Sequence, residues 1–428
     1  MNKTLSVQKQ CKLTIGETIM GSIFILLDIF LFFFSNISSY LLNFIWVDFN
    51  GQWKICAYTV RGIDPYTQIG TSSPAIEAIG AVPDTWRASP WGCLLGNIFY
   101  PGYLSYNHAQ IYFRILSIVV FIVCLVVIIK SIELKNIKEY VFYVLVYCSF
   151  FYYYSFLFGN SGGMCCCMII AACMICEKHP YFAGVLTGVA MIKPQMVLII
   201  CLVLLLNRKI KTLFLAAGID IASLLITSII IKKNPITFTL EFFDTNIDKQ
   251  SMPGGIFGFL SNTFGVPAVY SLVLSMLFGI IFTIIAVIVI KKHKFETVFP
   301  KWFIYFVPFL VSSFWSYRWR YDDFIIIFAC FCCVYILTNS YSTQIKAVYL
   351  IALFYLYFKY LVIYYILSNI AGFLWKINPA VSDFLFLKIS IETLYDFGTV
   401  VILIVMIAAA IRECKKRKTV PRQMWEAV

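Results

Sequence analysis

Charge is what this sequence has least of. Only 13% of its 428 residues are charged, while 61% are hydrophobic. No polar stretch is long enough to form a soluble domain of its own, so residues 1–428 read as one membrane domain. Acidic residues are the scarcer sign, 21 against 34 basic, and the net charge is +13. Histidine is nearly absent, with three in the chain. None pairs with another at helical spacing, so a histidine metal site is not expected. There is no G-x-x-x-x-G-K-[ST] loop, no Gly-rich dinucleotide turn and no soluble α/β pattern. The chain therefore shows no site for ATP or a nucleotide sugar, and nothing in it calls for a cofactor. No zinc-type C-x-x-C pair is read among its 15 cysteines. Cys165, Cys166, Cys167, Cys173 and Cys176 lie in or beside an apolar segment and read as small packing residues. No internal repeat is evident, which removes support for an inverted-repeat transporter.

What is present is a series of apolar runs, most of them near 20 residues, separated by short basic clusters. That is the pattern of an all-α polytopic membrane protein. Lys3, Lys9 and Lys12 place the N-terminus in the cytoplasm by the positive-inside rule. The first run, Ile15 to Phe34, has no small-residue cleavage site and is long enough to span. Further crossings are expected near Ile111–Ile129, Tyr140–Phe158, Met164–Cys176, Thr212–Ile231, Ala268–Ile290, Trp302–Phe314, Phe324–Leu337, Ala347–Leu367 and Thr399–Ile411. The last ends in Arg412, Lys415, Lys416, Arg417 and Lys418, which puts the C-terminus in the cytoplasm as well. Two long outer segments result, residues 44–108 and 232–267, and long loops in compact domains usually carry function. In the first of them Gln52–Val60 suits a short surface helix ended by Gly62.

Residues Phe182 to Leu206 break the alternation. The stretch is apolar except for Lys193-Pro194-Gln195, and both flanks are basic: Lys178 before, Arg208, Lys209 and Lys211 after. A simple span would put one basic cluster outside. Proline cannot continue the helical ladder, so a break at Lys193-Pro194 suggests two half-helices that enter and leave on the cytoplasmic side. A lysine at membrane depth is costly, which makes Lys193 a functional candidate. The plain alternative is a lysine that snorkels to an interface.

On the outer face the first acidic residue after the first run is Asp48, in Trp46-Val47-Asp48-Phe49-Asn50. A carboxylate at that boundary is partly desolvated and suited to accept a proton; the bland alternative is an interfacial aspartate that ends a helix. Arg318 and Arg320 sit among aromatics in Ser316–Asp323. Guanidinium pairs with phosphate oxygens in a planar fork, although Asp322 and Asp323 offer internal partners. An activated donor with no nucleotide site would reach such a face as a lipid.

These residues resemble the GT-C class of membrane glycosyltransferases, specifically the polyprenyl-phosphate-mannose-dependent glycosyltransferase family 87. The likeness covers about residues 15–330. Asp48, Tyr58 and Arg61-Gly62-Ile63-Asp64-Pro65-Tyr66 look like the family's aspartate, helix and G-x-D-P-Y loop. Tyr100-Pro101 resembles its Y-P-P step, with Gly102 as a departure. Gly159-Asn160 resembles its G-Q-x-N turn, without the glutamine. Gly184 to Gln195, ending Ile192-Lys193-Pro194-Gln195, is similar to its G-l-a-x-x-x-K-P segment. Ser313–Arg320 stands where the family has S-P-x-S-W-x-H-H; the proline and both histidines are absent, and arginines occupy the stretch.

The resemblance implies a GT-C-type bundle of about ten transmembrane helices plus the re-entrant pair. It implies an inverting transfer of mannose or another hexose from a polyprenyl-phosphate donor to a glycan or glycolipid acceptor in the membrane. Asp48 would be the base. Arg61, Tyr66, Asn160, Lys193, Gln195, Arg318 and Arg320 would bind substrate, the cations among them meeting the leaving phosphate, and no metal is required. Two other classes share the composition. A Wzy-type polysaccharide polymerase also has many spans and outer arginines, but needs no aspartate directly after the first span. A lipid-oligosaccharide flippase would have a central cationic cavity between two related halves.

Overall fold

A computed structural model of the chain describes residues 47–67, 79–80, 88–132, 143, 159–247, 255–315, 324–339, 341–358 and 391–419. The expected first span, nearly all of the one over 140–158, and both Arg318 and Arg320 lie outside the described residues. Among those described the chain is all helix, with no strand.

Four helices are long and apolar enough to cross a membrane: Tyr106–Ile132, Ile210–Ile230, Ala268–Lys292 and Asp396–Arg417. Six shorter apolar helices accompany them. In chain order the main elements are α1 (Val47–Val60), α2 (Tyr106–Ile132), α3 (Gly162–Ile175), α4 (Pro180–Ala190), α5 (Pro194–Leu206), α6 (Ile210–Ile230), α7 (Pro235–Ile247), α8 (Ala268–Lys292), α9 (Phe306–Ser312), α10 (Ile327–Thr338), α11 (Thr343–Phe358) and α12 (Ile391–Thr419).

Burial sorts these helices by role. Every residue of α3 and of α9 is buried, so these two form the centre. By contrast α2, α6 and α8 turn large apolar side chains outward, among them Ile115, Phe214, Ile229 and Ile281. Apolar outer faces on helices that satisfy their own backbone are what lipid selects. The cysteine triplet lies on α3 and is wholly buried, in keeping with a packing role. The segment 232–267 is not all loop. It holds α7, whose Phe238 is buried while Ile236 and Leu240 are exposed.

Phe182 to Leu206 forms two helices with a break between them. Pro180 and Pro194 open α4 and α5, the positions where a missing amide hydrogen costs nothing. Lys193 is the N-cap residue just before α5. At the other end of the pair Lys209 forms an ion pair with Glu177, and Thr212 Oγ1 donates to Pro180 O at 3.0 Å. The start of α4 and the turn after α5 therefore lie side by side. With 11 and 13 residues, the two helices are about 16 and 20 Å long. Close packing of α4 on α6 rests on Gly184, where a Cβ would come within 2.8 Å of Thr212 O.

Candidate active site

The turn before α3 builds the site. Asn160 is 3% exposed and Asp48, in the first turn of α1, is 4% exposed. Asn160 Nδ2 donates to Asp48 Oδ2 at 2.7 Å. Asn160 Oδ1 in turn accepts from the Gly162 amide at 2.7 Å. That second bond fixes the orientation of the side-chain amide, because a carboxamide facing an N–H must present oxygen. Its NH2 group must then face Asp48, which serves as acceptor. Asp48 Oδ2 is thereby held in a fixed orientation toward Asn160, as a general base must be positioned.

Tyr100 closes the turn from the other side. Its hydroxyl accepts from the Ser161 amide at 2.7 Å and donates to Gly159 O at 3.3 Å. Burial, first, and the nearby Asp48 carboxylate push the Tyr100 phenol well above its usual range, and the Ser161 hydrogen bond pulls only partly back. Phe49 packs edge-on against Tyr100, Tyr106 and Phe113, which fixes the start of α1 against α2. The Asp48 carboxyl is thus buried between a polar turn and a cluster of aromatic rings.

Gly102 shows why this chain departs from a second proline after Pro101. A Cβ at residue 102 would lie 2.3 Å from Ala57 N and 2.4 Å from Cys56 C. Only a bare backbone fits against α1 there. Arg61 reinforces the contact: its Nη1 donates to Ala57 O at 2.7 Å and Gly102 O at 3.0 Å. Asp64 serves the turn after α1, accepting from the Tyr66 amide at 2.8 Å, an Asx-type bond. Tyr66 donates to Ala88 O at 2.8 Å and stacks on Phe238 of α7. Lys233 bridges Asp64 and Glu241. Burial pulls its ammonium down, and the hydrogen bonds to the two carboxylates outweigh that and raise it. The geometry thus uses Arg61 and Tyr66 to lock the loop onto its neighbours.

The elbow between α4 and α5 is held by two indoles. Trp91 Nε1 donates to Met191 O at 2.9 Å and Trp315 Nε1 to Gln195 O at 3.0 Å. Trp91 O accepts from Ser223 Oγ of α6 at 2.6 Å. Lys193 and Gln195 therefore sit between two tryptophans from distant parts of the chain. The sequence reading assigned neither indole a role; the available signal was an elbow whose freed carbonyls must find donors. Arg318 follows Trp315 by three residues.

C-x-x-C spacing occurs at Cys173–Cys176 and at Cys330–Cys333. All four thiols are buried and free. Among the described residues no group of three or more His, Cys, Asp or Glu is arranged to hold a metal.

The model of glycosyltransferase family 87 matches residues 94–313, just over half of the chain. The chain belongs to glycosyltransferase family 87. The match contains Asn160, Lys193 and Gln195; Asp48, Arg61 and Tyr66 precede it. Asp48 is tied to the family 87 region by its bond to Asn160 rather than by the match itself. Neither the curated proteins nor the solved structures contain a match to the chain. Family and apolar helices together make the protein an integral membrane glycosyltransferase.

Proposed function

We propose that the protein transfers a hexose, mannose or a close relative, from a polyprenyl-phosphate donor to a glycan or glycolipid acceptor on the outer face of the membrane, with inversion. The observation that carries this reading is the Asp48 carboxyl, buried and accepting from Asn160 at 2.7 Å. Asp48 takes the proton of an acceptor hydroxyl. The hydroxyl oxygen bonds to the anomeric carbon, the bond from that carbon to the phosphate oxygen breaks, and polyprenyl phosphate leaves. A hydroxyl with a pKa far above neutrality needs such a base.

The leaving phosphate needs fixed positive charge, worth several kcal/mol in a water-poor site. Lys193 at the elbow is the first candidate. Arg318 and Arg320 follow Trp315 in sequence, and Trp315 is bonded to the elbow. Arg61 ranks behind them because its Nη1 is occupied by two carbonyls. The decisive experiment offers purified protein mannosyl, glucosyl and galactosyl polyprenyl phosphates of known anomeric configuration, with membrane acceptor. Transfer from one of them with inversion supports the proposal. Turnover only of pyrophosphate-linked oligosaccharides would establish a polymerase instead.

The bundle is proposed to be of GT-C type, with ten crossings, both termini cytoplasmic, and α4–α5 as a re-entrant pair. The Glu177–Lys209 ion pair supports this, as do two helices each shorter than the roughly 30 Å hydrocarbon core. Cysteines placed at Lys178 and at Lys211 should both resist a membrane-impermeant reagent added from outside. Labelling at either position sinks the re-entrant arrangement.

A further inference from the structure

At the end of the bundle away from Asn160, a cavity of about 450 Å³ opens between the α5–α6 turn and the connection from α8 to α9. The 14 residues of α3 separate Asn160 from Glu177 at the cavity wall by about 21 Å, so this space is not the site described above. Arg208, Lys209, Lys291, Lys294 and Lys301 line it, against Glu177 and Glu296. Glu177 is engaged by Lys209. Lys291 Nζ donates to Leu206 O at 2.5 Å, which ties the two connections together. Beneath the cations Phe295, Phe299 and Phe303 are buried, with the last two stacked at 4.7 Å.

Two of the cations occupy unusual backbone. Arg208 has φ 58° and Lys294 φ 53°, the left-handed region that non-glycine residues seldom adopt. Each stands just after a helix end, where glycine is the usual choice. Loops that only orient a membrane protein need basic residues near the membrane. They do not need five cations gathered around an aromatic-floored space; the left-handed backbone alone does not mark the site, since Lys232, outside the cavity, shares it. Cations at a rim suit phosphate oxygens, and the aromatic floor suits the first methylenes of an acyl chain.

We propose that this cavity is a second, non-catalytic site that binds the phosphate head of an anionic membrane lipid. The phosphate lies among Arg208, Lys291 and Lys294, and the start of the lipid chain rests on the phenylalanines. Under the topology proposed above, the lipid belongs to the cytoplasmic leaflet; that clause rests on the topology, and the binding test does not.

The test uses the full chain, purified in neutral detergent and followed by native mass spectrometry. Phosphatidylglycerol is titrated against phosphatidylcholine and against inorganic phosphate. Arg208→Gly and Lys294→Gly each remove a cation at a position whose backbone glycine adopts freely, so the fold is retained. Lys130→Gln removes a cation from the last turn of α2, outside the cavity lining. Phosphatidylglycerol should bind in preference to phosphatidylcholine. Each glycine variant should weaken it about fivefold, while Lys130→Gln leaves it unchanged. The proposal is overturned by an equal loss in Lys130→Gln, by no loss in the glycine variants, by equal binding of phosphatidylcholine, or by millimolar inorganic phosphate displacing the lipid completely.

Discussion

Replacing Asp48 with asparagine separates chemistry from structure, because the two costs differ severalfold in free energy. Asn160 presents its NH2 group to Asp48 at 2.7 Å. The new side chain turns its own carbonyl toward that group and keeps the hydrogen bond. What is lost is the charge assistance: a bond to a charged group contributes about 1.5–3 kcal/mol and a neutral one about 0.5–1.5. Removing a buried charge offsets part of that difference. The net structural cost is therefore about 1 kcal/mol. Loss of a general base costs about 10²- to 10⁴-fold in rate, or about 3–5 kcal/mol in the barrier at 1.36 kcal/mol per decade. Asp48→Asn should thus express and fold normally, bind donor, and transfer at under about 1% of the wild-type rate. The assay is release of polyprenyl phosphate in vesicles that carry wild type or variant. If the variant keeps even about a third of the wild-type rate, Asp48 is not the base, since that loss falls far short of the acid–base range. Its place beside Asn160 would then be structural.

Two further outcomes follow from the same turn. Asn160→Asp keeps the bond to the Gly162 amide but places two carboxylates at 2.7 Å, which cannot both ionise. A proton is then held between them. Because the base must be deprotonated, the acidic limb of the pH–rate profile should move to higher pH, with activity partly regained above neutrality; an unmoved limb refutes the pairing. Gly102→Ala sets a Cβ at 2.3 Å from Ala57 N, so α1 or the 100–102 turn must shift. A loss of about 1–3 kcal/mol is expected from such overpacking, seen as a lower melting temperature in detergent. A neutral result means that the two backbones are not in contact.

Much of this arrangement is legible in the chain, though unevenly. The four long spans stand out because lipid demands uninterrupted apolar runs. The Lys193-Pro194 break stands out because proline and two basic flanks both oppose a simple span. Asp48 and Asn160 are each recognisable as candidates, but nothing local says that they touch. They are 112 residues apart, and the contact depends on how α1 packs against the turn before α3. Arg61 and Tyr66 read as ligand-binding types, since guanidinium and phenol suit a phosphate and a sugar. The fold uses the same donors on backbone carbonyls at Gly102 and Ala88. Gly102 reads as a departure from a motif until the approach of α1 is known. Arg208 and Lys294 look like ordinary loop cations, and their left-handed backbone shows only in three dimensions.

One short segment connects the two halves of the chemistry. Trp91 donates to the elbow at Met191, and Tyr100 both accepts from and donates to the backbone around Asn160. Between them lie only a single helical turn, Gly92–Leu95, and a 3₁₀ turn, Gly96–Ile98. Irregular backbone inside a bundle needs its polar groups satisfied by protein, and this one segment supplies a donor to the elbow and a partner to the turn before α3. The elbow that carries Lys193 and the turn that orients the Asp48 carboxylate are therefore positioned by a common strut. In the proposed inverting transfer the base and the cation at the leaving phosphate stand on opposite sides of one anomeric carbon, and rigid coupling of their supports would hold that separation.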